Sequence, residues 1–119
     1  MRDVRFGQFR HSVEIKEPGQ QRTPSGDFEP GEPVTFCNRF AAIRGLSGQE
    51  AVRARAVEAE TTHLIQIRTD SQVAQVTPRM QIHFDDKLSG RVRVFEILSK
   101  IDLEELGRVT EFTCKERVS

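Results

Sequence analysis

The sequence contains no tryptophan and no tyrosine, so its aromatic side chains are eight phenylalanines. Phenylalanine suits a buried core better than an exposed platform on which sugars or bases stack. Cysteine is also scarce, because only Cys37 and Cys114 are present and neither belongs to a CxxC pair. In a cytosolic chain this pattern favours two reduced thiols over a disulfide or a metal site.

The chain also lacks a long apolar run and an excess of charge of either sign. No stretch approaches the roughly 20 apolar residues of a membrane helix, and the N-terminal residues do not resemble a signal peptide. We therefore expect a soluble, cytoplasmic protein without a membrane partner. Basic and acidic residues number 18 each, so the chain as a whole offers no basic surface to nucleic acid, although a local basic stripe is possible. The length of 119 residues predicts a single domain, 1–119.

Alternation of apolar and polar residues predicts about six strands joined mainly by short turns. These strands cover residues 10–17, 34–44, 62–69, 80–84, 91–103 and 108–118. Their inward positions assign most of the core to Val13, Ile15, Phe36, Phe40, Ile65, Ile67, Ile82, Phe84, Phe95, Ile97 and Phe112. Segment 34–44 is apolar on both faces, which favours a strand in the middle of the fold. The pattern predicts a mainly β protein, either a small antiparallel barrel or a sandwich.

A proline- and glycine-rich segment separates the first two predicted strands. Residues 18–33 contain four prolines and three glycines, a composition that disfavours both a helix and a strand ladder. The sequence therefore predicts a long surface loop in the N-terminal half, and long loops of this kind are usually functional or disordered.

A second interruption, GLSGQEAVRARAVEAE, has helical spacing. Ser47 and Glu50 stand three residues apart as in a capping box, which predicts an inserted short helix from about Gly48 to Ala59. Val52 and Val57 are the large apolar side chains of that helix. A helix with so narrow an apolar face is either lightly docked on the barrel or completed by a neighbouring molecule.

Residues that could support catalysis or metal binding are present, but their spacing supports neither. His11, His63 and His83 each lack a second ligand at i+2 or i+4. Asp85 and Asp86 are adjacent in the turn DDKLSG, which favours a solvated hairpin over a catalytic dyad. The sequence therefore predicts no enzyme, no cofactor and no metal site.

Short motifs follow one another along nearly the entire chain: RHSVEI, a Gly/Pro loop, FAAI, LSGQE, THLIQIR, TPRM, GRVRVFEILSKID and a final TCKE. Their order resembles that of the phage head–tail joining proteins, also called head-closure, stopper or adaptor proteins. That family usually has tryptophan where Phe40 stands and often an aromatic residue where Ala51 stands.

The resemblance implies a structural ring protein, of about six or twelve subunits, beneath the portal of a filled phage head. The implied partners are a portal or adaptor ring on the head side, a tail terminator on the tail side, and packaged double-stranded DNA in the channel. The implied location is the neck of a virion, a prophage particle or a gene transfer agent, assembled in the cytoplasm of the bacterial host.

Two regions of the chain are the candidate contact sites. In the family, the segment between the second and third strands faces the channel or rearranges on assembly. Here that segment would place at a subunit interface or in the channel Ser47, Gln49, Glu50, Arg53, Arg55, Glu58 and Glu60. The 18–33 loop is expected to be an exposed arm, poorly ordered in the isolated protein. It would contact a neighbouring subunit or ring through Gln20, Arg22, Asp27, Phe28 and Glu29.

An alternative hypothesis is an OB-like barrel that contacts single-stranded nucleic acid. Such modules alternate basic and aromatic residues on one exposed strand face. The stretch RVRVFE has this pattern, with Arg91, Arg93 and Phe95 on one face. Alternation of basic and aromatic residues on an exposed strand face is the feature that distinguishes the two hypotheses.

Overall fold

The computed structural model describes residues 9–46, 61–103 and 108–117 of the chain. Within these ranges, six strands account for nearly all regular structure, and one short 3₁₀ helix is present at Val73–Gln75. The strands are β1 (His11–Arg22), β2 (Phe28–Gly45), β3 (His63–Arg68), β4 (Gln81–Asp86), β5 (Arg91–Leu103) and β6 (Val109–Glu116). All six predicted strands are thereby confirmed, while the predicted helix at 48–59 lies outside the described residues.

The strands form one closed antiparallel barrel with the order β1-β2-β3-β6-β5-β4. Of the two predicted architectures, the structure is therefore the barrel. Closure gives each strand a hydrogen-bonded neighbour on both sides, so the barrel wall has no exposed edge. Segment 34–44 was expected to be the strand with two buried faces. In the structure that strand is β6, which is buried on both faces from Val109 to Cys114.

The core follows the predicted alternation with one clear exception. Phe95, Phe112 and the predicted isoleucines and valine are buried, and Phe36 and Phe84 pack against them from partly buried positions. Phe40, in contrast, is 63% exposed, so its assignment to the core is wrong. The inward positions of β2 belong to small side chains, Cys37 and Ala41, which are 6% and 0% exposed.

A register shift in β2 explains why a simple alternation fails there. Ile15 of β1 pairs with Cys37, but the next residue, Lys16, pairs with Thr35. Phe36 is therefore an extra residue in a β-bulge, and a bulge changes which side of the strand each later residue faces. One inserted residue is enough to turn Phe36 toward the core and leave Phe40 outside it.

The connection between β3 and β4 closes one end of the barrel with apolar side chains. Val73 and Val76 of this connection are fully buried within the core cluster. Arg39 holds the connection by donating from Nε to Asp70 Oδ2 at 2.8 Å. Asp70 Oδ1 in turn accepts hydrogen bonds from the amides of Gln72 and Val73, both at 2.9 Å. The hydrogen bond from Arg39 also holds the pKa of Asp70 below its usual value.

The predicted long loop at 18–33 is instead a two-stranded extension of the barrel, called here the arm (residues 18–33). Beyond Lys16, which pairs with Gln81, β1 pairs with β2 alone. The pairing continues from Gly19 opposite Gly31 to Arg22 opposite Phe28, which leaves only a short turn at residues 23–27. The expectation of a loop without regular structure was therefore wrong.

The prolines of the arm occupy positions that a two-stranded ladder tolerates. Pro18 lies in the register shift between Glu17 and Gly19, and Pro24 lies in the turn. Pro30 pairs with Gln20 in a part of the ladder where each strand has one free side. Proline is accepted at bulges, turns and edge strands because no ladder hydrogen bond depends on its missing N–H.

Candidate functional site

The strand order divides the connections of the barrel between two opposite ends. The arm, the β3–β4 connection and the connection from β5 to β6 lie at one end, because successive antiparallel strands run in opposite directions. The start of β1, the connection from β2 to β3 and the β4–β5 turn lie at the other end. The two contact regions predicted from the sequence therefore belong to opposite ends of one barrel.

The five predicted arm residues come together around the tip of the arm, and all five are exposed. Arg22 and Phe28 face each other across the two strands, with the guanidinium carbon 5.9 Å from the ring centroid. Phe28 remains 68% exposed, since the arginine covers only part of the ring. The arm therefore carries an exposed aromatic ring close to its tip.

The turn at the tip is held by its own hydroxyl groups and backbone. The Thr23 amide donates to the Asp27 carbonyl at 2.8 Å, and the Asp27 amide donates to Thr23 Oγ1 at 3.1 Å. Gly26 has a φ of 95°, a conformation that glycine adopts without strain. On the neighbouring pair, Gln21 Nε2 donates to Glu29 Oε1 at 2.7 Å. The tip therefore presents carboxylates and an aromatic ring from a defined backbone.

At the opposite end, the chain leaves and rejoins the barrel at adjacent points. The Leu46 amide donates to the Thr62 carbonyl at 3.0 Å, and the Thr62 amide donates to the Cys114 carbonyl at 2.9 Å. The seven predicted interface or channel residues between 47 and 60 lie outside the described residues. The structure describes the residues that flank this segment, Leu46 and Thr62, which are called here its base.

A group of one polar and three charged side chains surrounds this base and is called here the end cluster: His63, Asp86, Arg93 and Glu116. Arg93 donates to both carboxylate oxygens of Glu116, from Nε at 2.9 Å and from Nη2 at 2.8 Å. Its Nη1 lies 3.6 Å from Asp86 Oδ2. The bond to Glu116 raises the pKa of Arg93 and lowers the pKa of Glu116. This bidentate pair is the strong geometry for an arginine and a carboxylate.

His63 joins the end cluster as a neutral ring. Arg93 Nη2 lies 3.2 Å from His63 Nε2, and an arginine can only donate, so Nε2 is the acceptor. The proton is then on Nδ1, which lies 2.9 Å from the hydroxyl of Thr62. Burial lowers the pKa of His63, partly offset by Glu116 and reinforced by Arg93. In the sequence, this cluster corresponds only to four polar residues at inward positions of four different strands.

The basic and aromatic pattern of RVRVFE does not form an exposed stacking face. Arg93 lies over Phe95 at 5.2 Å from the ring centroid, but Phe95 is fully buried in the core. A base cannot stack on a ring that has no exposed surface. The RVRVFE pattern therefore does not support a nucleic-acid-binding module.

An open cleft of about 670 Å³ lies at the same end as the end cluster. It is bordered by the start of β1, by β4 and by the β4–β5 turn, with Arg10, His11, His83, Phe84, Lys87 and Leu88 among its lining residues. His11 and Phe84 contact edge to face with ring centroids 5.0 Å apart. Burial is the main cause that lowers the pKa of both His11 and His83. The cleft has an aromatic floor and a charged rim.

The described residues contain no group of three or more histidine, cysteine or acidic side chains placed to hold a metal ion. Cys37 and Cys114 are both free and buried. Burial raises the pKa of the Cys114 thiol, which keeps it protonated. Among the described residues there is also no helix long and apolar enough to cross a membrane.

These features define a small closed β-barrel whose distinctive surfaces are an exposed arm and an open cleft. The family model of phage head completion proteins matches residues 4–117, and the chain belongs to that family. The protein is therefore a structural component associated with the phage head and is expected in the virion particle. The sequence-based assignment to the head–tail joining proteins is confirmed at this level.

A solved structure with the same fold is the solution structure of protein SF1141 from Shigella flexneri 2a. The two superpose with a TM-score of 0.74 over 98% of this chain and 99% of the other, at 20% sequence identity. At that identity the similarity concerns the barrel fold alone. No curated protein matches the chain.

Proposed function

We propose that this protein forms a homo-oligomeric ring, of about six or twelve subunits, in the neck of a tailed-phage or phage-like particle. The ring joins the DNA-filled head to the tail and helps to close the channel through which the genome passes. Membership in the phage head completion family supports a structural role, and the role requires no catalysis and no cofactor.

One observation carries this proposal: the two predicted contact regions leave opposite ends of a rigid barrel. A protein that connects two assemblies needs two separate surfaces, and a closed barrel keeps them at a fixed distance. The portal or adaptor ring on the head side and the tail terminator on the tail side are the proposed partners of the two faces of the assembled ring.

The second contact region, residues 47–60, is proposed to face the channel or a neighbouring subunit. The two described residues that flank this segment, Leu46 and Thr62, are joined by a hydrogen bond beside the end cluster. Arg53, Arg55, Glu50 and Glu58 interleave both charges in this segment. A balanced surface suits a channel through which DNA must slide, because it does not bind phosphates tightly.

The proposed location is the neck of the particle, reached by assembly in the bacterial cytoplasm, with residues 1–119 acting as one domain. The test uses filled heads that lack this protein, purified tails, and added wild-type protein. We expect the added protein to restore joined particles and to retain the packaged DNA, with both counted by electron microscopy. Heads that join tails equally well without it would overturn the proposed function.

A further inference from the structure

We propose that the arm tip of one copy occupies the cleft of the next copy in the ring, with Phe28 as the inserted side chain. The inference rests on the proposed function, because it names the contact between neighbouring subunits of that ring. It assigns a role to the arm and to the cleft, which is bordered by His11, Phe84 and Leu88.

A closed ring requires two different complementary surfaces on every copy. A contact between identical patches ends at a dimer, whereas a contact between different patches repeats until the rotation closes the ring. The arm and the cleft are two such patches at opposite ends of β1. The first residues of β1, His11 and Ser12, border the cleft, and its last residues, 20–22, form the arm.

The shape of the molecule allows the arm to reach a neighbour. The principal extents are 52, 31 and 30 Å, so one axis is much longer than the other two. Residues 17–22 pair only with β2, beyond the last partner in β4. At about 3.3 Å per residue, such a segment extends roughly 17 to 20 Å. That length carries the tip clear of its own barrel and onto the surface of an adjacent copy.

The chemistry of the tip and the cleft is complementary. Phe28 offers an exposed ring, and the cleft offers the aromatic pair His11 and Phe84 together with Leu88, which is fully exposed. Aromatic rings favour edge-to-face contact with other rings, and burial in a pocket strengthens such an anchor. Insertion of Phe28 would remove two exposed apolar groups from water at once.

The cleft is lined by three cations, Arg10, Lys87 and Arg93, and by three carboxylates, Glu14, Asp85 and Asp86. Within the described residues, the carboxylates of Asp27 and Glu29 and the guanidinium of Arg10 have no ion-pair partner. Lys87, on the rim of the cleft, is paired only with Asp85 at the exposed turn, a type of ion pair that exchanges at little cost. Among the described residues, the unpaired carboxylates of the arm tip thus have one unpaired cation to meet at the cleft, Arg10.

The prolines of the arm favour contact through side chains over strand addition. Pro18 and Pro30 provide no N–H group to a strand that would extend the arm sideways. Proline on an exposed edge is a common means of preventing sheet extension. A partner of the arm must therefore recognise its tip, where Phe28 is exposed.

The experiment places one cysteine on each side of the proposed contact. Phe28→Cys and Leu88→Cys are combined in one chain, used to complement heads that lack the protein, and oxidised after tails have joined. The native cysteines are both buried, so they do not compete. We expect a ladder of linked subunits on a non-reducing gel. The matched control combines Phe28→Cys with Ile101→Cys, which lies at the arm end and should give no ladder.

A second measurement does not depend on cysteine chemistry. Arg10→Glu should lower the number of joined particles by about tenfold, and the added change Asp27→Arg should restore it. Normal joining with no ladder specific to the 28/88 pair, or no loss with Arg10→Glu, would overturn the inference and leave the proposed function standing. Failure of the wild-type protein to restore joining would overturn both.

Discussion

Leu46 and Thr62 are joined by a hydrogen bond of 3.0 Å from the Leu46 amide to the Thr62 carbonyl. The chain between them therefore leaves the barrel and returns to it at one point. The Thr62 hydroxyl also accepts the Glu116 amide at 2.8 Å, which ties the same point to the last strand. These hydrogen bonds fix Leu46 and Thr62, the described residues on either side of segment 47–60, to the barrel.

The role of residues 47–60 can be tested by charge reversal. The double change Arg53→Glu and Arg55→Glu should impair head–tail joining or DNA retention if these arginines contact neighbouring subunits or face the lumen. The thermal midpoint should stay unchanged, because an isolated exposed charge contributes under about 1 kcal/mol. Joined particles are counted by microscopy, and Arg79→Glu, at an exposed turn, serves as the control. Normal joining and retention would show that this segment is an ordinary solvated surface.

The core assignment predicts opposite results for the same substitution at two positions. Phe112→Ala should lower the free energy of unfolding by about 3 to 5 kcal/mol, because Phe112 is fully buried and its loss leaves a cavity. Phe40→Ala should change it by less than about 0.5 kcal/mol, as expected for an exposed side chain. Urea titrations of both variants provide the measurement. Similar losses for the two would mean that Phe40 is covered in solution.

The arm depends on a close approach at Gly19. A β carbon at this position would lie 1.9 Å from the Glu32 carbonyl oxygen, so Gly19→Ala forces the two arm strands apart. We expect faster amide hydrogen exchange and faster proteolysis in residues 20–30, while the barrel amides remain protected. Gly45→Ala is the matched control, because its β carbon would meet only the His63 side chain at 3.5 Å. Unchanged exchange in the arm of Gly19→Ala would contradict the described pairing.

The end cluster predicts a loss of stability in mild acid. Burial lowers the pKa of His63 in the folded state from the usual 6.5, so the folded protein binds this proton less readily than the unfolded chain. The contribution of His63 is therefore fully present above about pH 6.5 and is lost as the pH falls through the lowered folded value. His63→Gln, which keeps an acceptor for Arg93, should flatten this part of the pH profile.

The measurement is the urea midpoint from pH 5 to pH 8 for the wild type and for His63→Gln. His83→Gln provides a comparison: burial also lowers the pKa of His83, so its removal should flatten the profile by a separate contribution from outside the end cluster. An identical pH profile for wild type and His63→Gln would mean that His63 does not contribute to the acid sensitivity.

The sequence by itself determined the strands. Alternation located all six, and it identified Phe95, Phe112 and the buried isoleucines correctly, because the two faces of a strand in a barrel wall meet different surroundings. It also located the five exposed residues at the arm tip. Local composition was misleading for the arm itself, since four prolines suggested a loop although Pro18, Pro24 and Pro30 occupy tolerated positions.

Only the tertiary structure decided which parts of the chain meet. The bulge at Phe36 reversed the expected position of Phe40, and a register shift between paired strands is not encoded in the hydrophobicity of either one. The end cluster brings together His63, Arg93 and Glu116 from three strands that are distant in sequence. Barrel closure also places the arm and the cleft at opposite ends of one strand, because strand pairing, not composition, fixes the direction of each connection.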